Sequence, residues 1–278
     1  MIAFDFQYKK PAGIMDASNL YLNAQREGLK PLFYSGGTEI ITLGRVGQVT
    51  TDMVIDIKGI PECNVLEIRG NELVIGSAVS LNDITLSGLF PLLGKTVQRI
   101  ADHTSRNKIT IGGNLNSELI YKESIIPLLV ADAKVKLAKG NTQRIIPLTD
   151  VFKKQWKLDA GEFLIQILLD KSYLDLPFIA VKRTKISKVG YPVVSVAALV
   201  KKNRIQIAFS GVCQYPFRSS KLESILNEDT VPAMERIEKA LTHLPEEVVD
   251  DIQGTKAYRT FVLRNVLKDI LEEWEMGK

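Results

Sequence analysis

Two glycine pairs constrain this chain more than any other feature. Each interrupts an apolar, strand-like run and is followed by a small polar residue. The first is Ser35-Gly36-Gly37-Thr38 after Leu32-Phe33-Tyr34, and the second is Gly112-Gly113-Asn114 after Ile109-Thr110-Ile111. Glycine takes positive φ without strain and lets a backbone approach a neighbour closely. Successive amides in such turns form concavities that suit an anion, a pyrophosphate among them. Thr38 and Thr110 add hydroxyls and Asn114 an amide. Each loop alone also reads as an ordinary turn; together they can hold the middle of a dinucleotide. No GxGxxG opens a helix and no GxxxxGK[ST] occurs, so the Rossmann and P-loop signatures do not apply.

The pattern around the loops alternates. Ala17, Leu20, Tyr21 and Ala24 fall at helical spacing, with Asp16 or Ser18 as cap and Gly28 as stop. Leu32-Phe33-Tyr34 and Met53 to Ile57 read as buried strands, which makes a small α/β unit. From Val65 the pattern turns to hairpins about Gly70-Asn71 and Gly140-Asn141. Ser80, with Asp83 three residues on, predicts a capped helix start. Leu93, Val97, Ile100 and Ala101 predict a helix face, Lys108 to Asn114 an extended run, and Ser124 to Ala131 a helix despite Pro127. Glu162 to Leu169 reads as a strand and Asp170 to Pro177 as a linker. Phe178 to Arg183, Val193 to Val200 and Ile205 to Val212 read as a three-stranded meander. From Arg218 onward the pattern is helical, ending in one long helix marked by Tyr258, Phe261, Val262, Asn265, Val266 and Ile270.

Composition excludes several classes. The 278 residues leave room for two domains, and 45% hydrophobic with 24% charged is ordinary for a soluble globular chain. No apolar run approaches the ~18–20 residues of a membrane span, and the MIAFDFQYKK start makes a poor signal peptide. Net charge is +4. The basic clusters Lys182-Arg183-Thr184-Lys185 and Lys201-Lys202-Asn203-Arg204 lack interleaved aromatics, which argues against nucleic acid. Cys63 and Cys213 form neither a CxxC pair nor a disulfide framework, as in a reduced, cytoplasmic protein. His103 and His243 stand alone, which leaves little for zinc or a Ser-His-Asp triad.

The glycine segments carry a resemblance. SGGTEII at Ser35 to Ile41 resembles the AGGTDLL-type segment of the flavin-binding (medium) subunit of molybdenum hydroxylases, the group of xanthine dehydrogenase and carbon monoxide dehydrogenase. SRNKITIGGNL at Ser105 to Leu115 is similar to that family's IRNxATIGGNL. IGSAVSLNDI at Ile75 to Ile84, IPLLVADAKVKL at Ile126 to Leu137 and AYRTFVLRNVL at Ala257 to Leu267 resemble further family segments in the same order.

The resemblance implies an α+β chain. A two-lobed FAD-binding domain of the vanillyl-alcohol-oxidase (PCMH) type would span 1–172, with lobes at about 1–58 and 59–172. A small C-terminal α+β domain would follow at 173–278, with a three-stranded antiparallel sheet and helices. The implied FAD contacts are Phe33, Tyr34, Ser35, Gly36, Gly37, Thr38, Glu39 and Ile40 in the first loop, and Thr110, Ile111, Gly112, Gly113 and Asn114 in the second. Glu123 stands where the family has Asp, Leu164 beside the isoalloxazine, and Lys182 near the flavin's carbonyl edge, where a cation would stabilise the reduced ring. The chain departs from the family's GNxxxASPxxD at GNLNSELIYKE, where Leu119-Ile120 replace serine and proline. Tyr191 reads either as an aromatic near the flavin or as a loop tyrosine.

The function so implied is an oxidoreductase: the FAD-carrying electron-transfer subunit of a heterotrimeric, xanthine dehydrogenase-like complex. An iron–sulfur subunit would deliver electrons that a molybdopterin subunit takes from substrate, and NAD+ or another acceptor would receive them. Two cysteines cannot hold a four-thiolate cluster in this chain. Two alternatives stand beside it: a free-standing FAD reductase of the same fold acting on a sugar-nucleotide, and a non-catalytic assembly subunit that has lost FAD.

Overall fold

A computed structural model describes residue 2 and residues 4–276. The chain divides into two compact units that interleave in sequence. The first comprises Met1–Leu89, His103–Ser117 and Asp132–Lys171; the second comprises Phe90–Asp102, Glu118–Ala131 and Ser172–Lys278.

Among the described residues the first unit holds eight strands: β1 (Gln7–Lys9), β2 (Pro31–Tyr34), β3 (Met53–Asp56), β4 (Leu66–Arg69), β5 (Glu72–Gly76), β6 (Lys134–Lys139), β7 (Thr142–Pro147) and β8 (Phe163–Asp170). A three-stranded parallel sheet, ordered β1-β3-β2, is built by two helical crossovers, Ile14–Arg26 and Thr38–Arg45. Its centre, Met53-Val54-Ile55-Asp56, is buried at every position, as a covered parallel strand requires. A five-stranded antiparallel sheet follows in the order β4-β5-β8-β6-β7. Both Gly-Asn turns form as expected: Gly70 and Gly140 take positive φ while their asparagines do not, the II′ pattern. Ile14, Ala17, Met53, Ile55, Ala138, Phe163 and Ile165 share one core.

One cap differs from expectation. The helix Ile14–Arg26 starts at Gly13 with no side-chain cap. Ser18 lies inside it, fully buried, donating to the Gly161 carbonyl at 2.9 Å and accepting from the Gly140 amide at 2.6 Å. Ser80 caps Leu81–Ser87 as its spacing predicts, accepting from the Asp83 amide.

The second unit is a four-stranded antiparallel sheet ordered β12-β11-β10-β9, formed by β9 (Phe178–Thr184), β10 (Pro192–Lys201), β11 (Arg204–Ser210) and β12 (Phe217–Arg218). The meander therefore gains a fourth strand, too short at two residues to leave a period-two pattern. Lys202 and Asn203, both at positive φ, are the tight turn between β10 and β11, so that basic cluster is a hairpin tip. The C-terminal helical stretch is three helices, Ser220–Leu226, Ala233–Leu241 and Lys256–Met276. Pro91–Val97 and Ile125–Val130 also pack on this sheet. Pro127 occupies the first turn of the latter, where no intrahelical acceptor for its missing N–H exists. The helix Pro91–Val97 ends before Ile100 and Ala101, and Ala101 takes positive φ.

Among the described residues no helix is long and apolar enough to cross a membrane. Fully buried Arg259 ties the second unit together, donating to the Val193 carbonyl at 2.7 Å, the Gly211 carbonyl at 2.6 Å and the Asp251 carboxylate.

Candidate functional site

The first glycine loop leaves β2 at Tyr34 and turns through Ser35 and Gly36. Gly37, at φ +69°, is the N-cap of the helix Thr38–Arg45, which no side chain caps. The first-turn amides of that helix, from Thr38, Glu39 and Ile40, have no intrahelical acceptor. Phe33 points elsewhere. Its ring stacks on Tyr21 at 4.8 Å and meets Phe163 at 4.6 Å, so the side chain belongs to the core and only its backbone borders the loop.

The second loop differs from the extended run expected of it. Thr110 is an N-cap whose hydroxyl accepts from the Gly113 amide at 3.2 Å, and Ile111–Leu115 is helical. That turn is templated by the segment after β5. Ile111 N donates to Val79 O at 2.9 Å, Gly112 N to Ser77 O at 2.9 Å, and Leu81 N to Ile109 O at 2.9 Å. Buried Asn82 accepts from Arg106 Nε at 3.1 Å and donates to His103 O at 2.9 Å and Asn107 Oδ1 at 2.6 Å, fixing the approach to the loop. Nothing in its spacing singles Asn82 out in the sequence.

The two loops abut. A Cβ on Gly36 would lie 2.0 Å from the Lys108 carbonyl oxygen and 3.1 Å from the Thr110 amide nitrogen. One on Gly112 would lie 2.7 Å from Ser77 O, and one on Gly37 2.1 Å from the Tyr34 ring. Three of the four glycines are therefore required by the protein's own backbone and ring packing. Gly113 is the least crowded: its Cβ would meet only Thr110 Oγ1, a tight contact at 3.1 Å with a side-chain hydroxyl rather than backbone. Leu164, in the same unit, is buried on β8 opposite Leu137, between the core residues Phe163 and Ile165. Side chains alternate along a strand, so it faces away from that core.

Glu123 and Lys182 fall in the second unit, where they meet each other. Lys182 Nζ donates to Glu123 Oε2 at 2.7 Å and to the Arg99 carbonyl at 2.8 Å, with both side chains about 5% exposed or less. Burial pushes the Glu123 carboxyl above its ordinary range, against the opposing pull of the Lys182 ammonium and the Ser195 hydroxyl. The cation expected near the flavin's carbonyl edge thus has a buried counter-ion. In the same unit Tyr191 stacks on Tyr121 at 4.8 Å, and the Tyr121 hydroxyl donates to Asp251 at 3.1 Å. Exposed His103 opens the short helix His103–Arg106. Cys63 and Cys213 are buried thiols, each pushed up to about 11 by burial.

These residues fit FAD. In the first unit Ser35 Oγ is buried with no hydrogen-bond partner, a cost that a ligand's phosphate oxygens would relieve; in the second unit Glu123 Oε1 is likewise buried without one and could accept a ligand hydroxyl. The N-terminus of the helix Thr38–Arg45 adds amides suited to a pyrophosphate, whereas the amides of Ile111, Gly112, Gly113 and Asn114 are already bonded within the protein.

Comparison with known proteins agrees. The nicotinate dehydrogenase FAD-subunit of Eubacterium barkeri is 24% identical over 294 residues, covering 98% of each chain. The glyceraldehyde dehydrogenase medium chain of Sulfolobus acidocaldarius is 24% identical over 281 residues, covering 94% of this chain and 95% of that one. The structure of quinoline 2-oxidoreductase from Pseudomonas putida 86 superposes with a TM-score of 0.87 at 20% identity, covering 100% of this chain and 99% of that one. Residues 180–274 match the CO dehydrogenase flavoprotein C-terminal domain. Residues 4–170 match the FAD binding domain in molybdopterin dehydrogenase, and the chain belongs to this family of oxidoreductase FAD subunits.

Proposed function

We propose that this chain is the electron-transfer subunit of a cytoplasmic, multi-subunit molybdenum hydroxylase. It takes electrons from an iron–sulfur partner, served in turn by a molybdopterin partner, and passes them to NAD+ or another acceptor. The observation that carries the reading is similarity along the whole chain, across both domains, to FAD and medium subunits of dehydrogenases. Two cysteines leave the clusters to a partner.

Bound FAD would supply the redox chemistry, and the protein would supply binding, orientation and electrostatics. In this reading 1–172 carry the cofactor. Tyr34 to Ile40 hold its pyrophosphate through backbone amides and the Ser35 and Thr38 hydroxyls, and Thr110 to Asn114 meet the flavin. The free oxygen of Glu123 accepts a hydroxyl, and Leu164 borders the ring. Lys182 presents a charge already offset by Glu123, so the ring would meet an ion pair rather than a bare cation.

The test is purification of the complete chain alone and with tagged partners. The reading expects stoichiometric FAD in the chain alone, no hydroxylase activity without partners, and co-purification with an iron–sulfur and a molybdenum protein. A flavin-free chain that still assembles would leave the non-catalytic alternative. Hydroxylation by the chain alone would end the proposal. NAD+ reduction by the complete assembly tests the acceptor.

A further inference from the structure

A small charged cluster of Tyr8, Asp56 and Lys58 lies beside the first glycine loop in the first unit. Asp56 ends β3, the central parallel strand, with a side chain only 3% exposed. Its carboxylate accepts from the Tyr8 hydroxyl, from the Lys58 amide at 2.9 Å and from the Lys58 ammonium at 2.8 Å. Burial pushes Asp56 up, but the hydrogen bonds from Lys58 and Tyr8 outweigh it and hold the carboxyl below its ordinary range. The same Lys58 ammonium donates to the Ser35 carbonyl at 2.7 Å and lies 4.3 Å from the centroid of the Tyr34 ring. That ring is in turn the surface against which Gly37 packs.

One ammonium therefore grips the first glycine loop twice, at its ring and at its carbonyl, and is itself fixed by a carboxylate braced by Tyr8. Lys58 is partly exposed, and such a pair contributes little to stability, so it is weak evidence for a purely structural role. Here the two contacts of the Lys58 ammonium beyond Asp56, to the Ser35 carbonyl and the Tyr34 ring, both fall on the turn whose amides the proposed function assigns to the pyrophosphate.

We propose that Lys58 is a positioning residue for the FAD pyrophosphate loop, with Asp56 as its anchor. The inference rests on the FAD reading above. Lys58 is surface-accessible on one side, with its side chain 38% exposed, so it can be replaced without opening a core. Lys58→Met removes both grips, whereas Lys58→Arg keeps a cation able to reach the same carbonyl and carboxylate.

The experiment has two arms on the complete chain. Hydrogen exchange of the apo-protein over residues 33–40 reads the loop without any cofactor. Titration of FAD, with ADP as competitor, reads the ligand. Lys58→Met should speed exchange over the loop and weaken FAD and ADP by a similar factor of roughly ten, the loss typical of one charge-assisted hydrogen bond. Lys58→Arg should recover most of both. Unchanged exchange in Lys58→Met, or equal loss in the two variants, overturns the positioning role. A wild-type chain that binds no FAD while Lys58→Met still loosens the loop would instead overturn the FAD reading, and with it the purpose assigned to the loop.

Discussion

The Lys182 ammonium lies 2.7 Å from the Glu123 carboxylate, and both side chains are almost entirely buried. Breaking a buried pair costs far more than the pair contributes, because the surviving charge is left uncompensated. Lys182→Met should destabilise the second unit by about 3–5 kcal/mol. The double variant Lys182→Met, Glu123→Gln should recover much of that loss. Urea denaturation of wild type, Lys182→Met, Glu123→Gln and the double variant measures the coupling, and additive losses would mean the two groups do not act as a pair.

The glycines should separate into packing and ligand roles. Gly36→Ala forces its Cβ onto the Lys108 carbonyl, so a loss of about 1–3 kcal/mol is expected in the melting of the apo-protein. Gly113→Ala meets only a hydroxyl and sits in a helical turn, so its fold should be unchanged or slightly firmer. If Gly113→Ala nevertheless loses FAD in an absorbance titration, Gly113 touches the cofactor. Full FAD retention would remove Gly113 from the site.

Acid should unfasten Asp56. Its folded value lies below the ordinary one, so its contribution is fully present above the ordinary carboxylate range and disappears as pH falls through the folded value. Asp56→Asn should therefore be less stable than wild type at neutral pH and show a shallower loss on acidification. Glu123 works in the opposite sense: raised by burial, it penalises the fold at neutral pH and is relieved as the pH falls. Glu123→Gln should steepen the loss where Asp56→Asn flattens it, as thermal melts across the acid range would record.

Arg259 offers a test of geometry rather than charge. It bonds four backbone carbonyls and a carboxylate from one fork, so Arg259→Lys should destabilise nearly as much as Arg259→Met, by more than about 3 kcal/mol. A lysine variant with wild-type melting would show that the charge alone suffices.

Local signals were legible in the sequence and distant pairings were not. Gly70-Asn71 and Gly140-Asn141 specify their turns through glycine φ alone, and Ser80 caps through its own neighbour Asp83. Lys108 to Ile111 misleads because β-branched Ile109, Thr110 and Ile111 mimic a strand, while the five-residue turn is held by bonds to Ser77 and Val79. Ser18 looks like a cap because nothing local reveals Gly140 and Gly161 waiting across the fold. The glycine loops stood out by composition. Asn82, Lys58 and the union of Glu123 with Lys182 did not, since a polar residue's partner many positions away leaves no periodicity.

The interleaving of the two units bears on how the chain is made. A ribosome releases Pro91–Val97 and Ile125–Val130 well before the β9 to β12 sheet on which they pack. Leu92, Leu93, Val97, Ile125, Ile126 and Leu128, all buried in the finished protein, must wait in the nascent chain for that sheet. Once Lys171 has emerged, every segment of the first unit is available to close. The second unit cannot be completed from its own contiguous stretch, so a translation product halted near residue 175 carries two orphaned apolar helices as a natural target for chaperones.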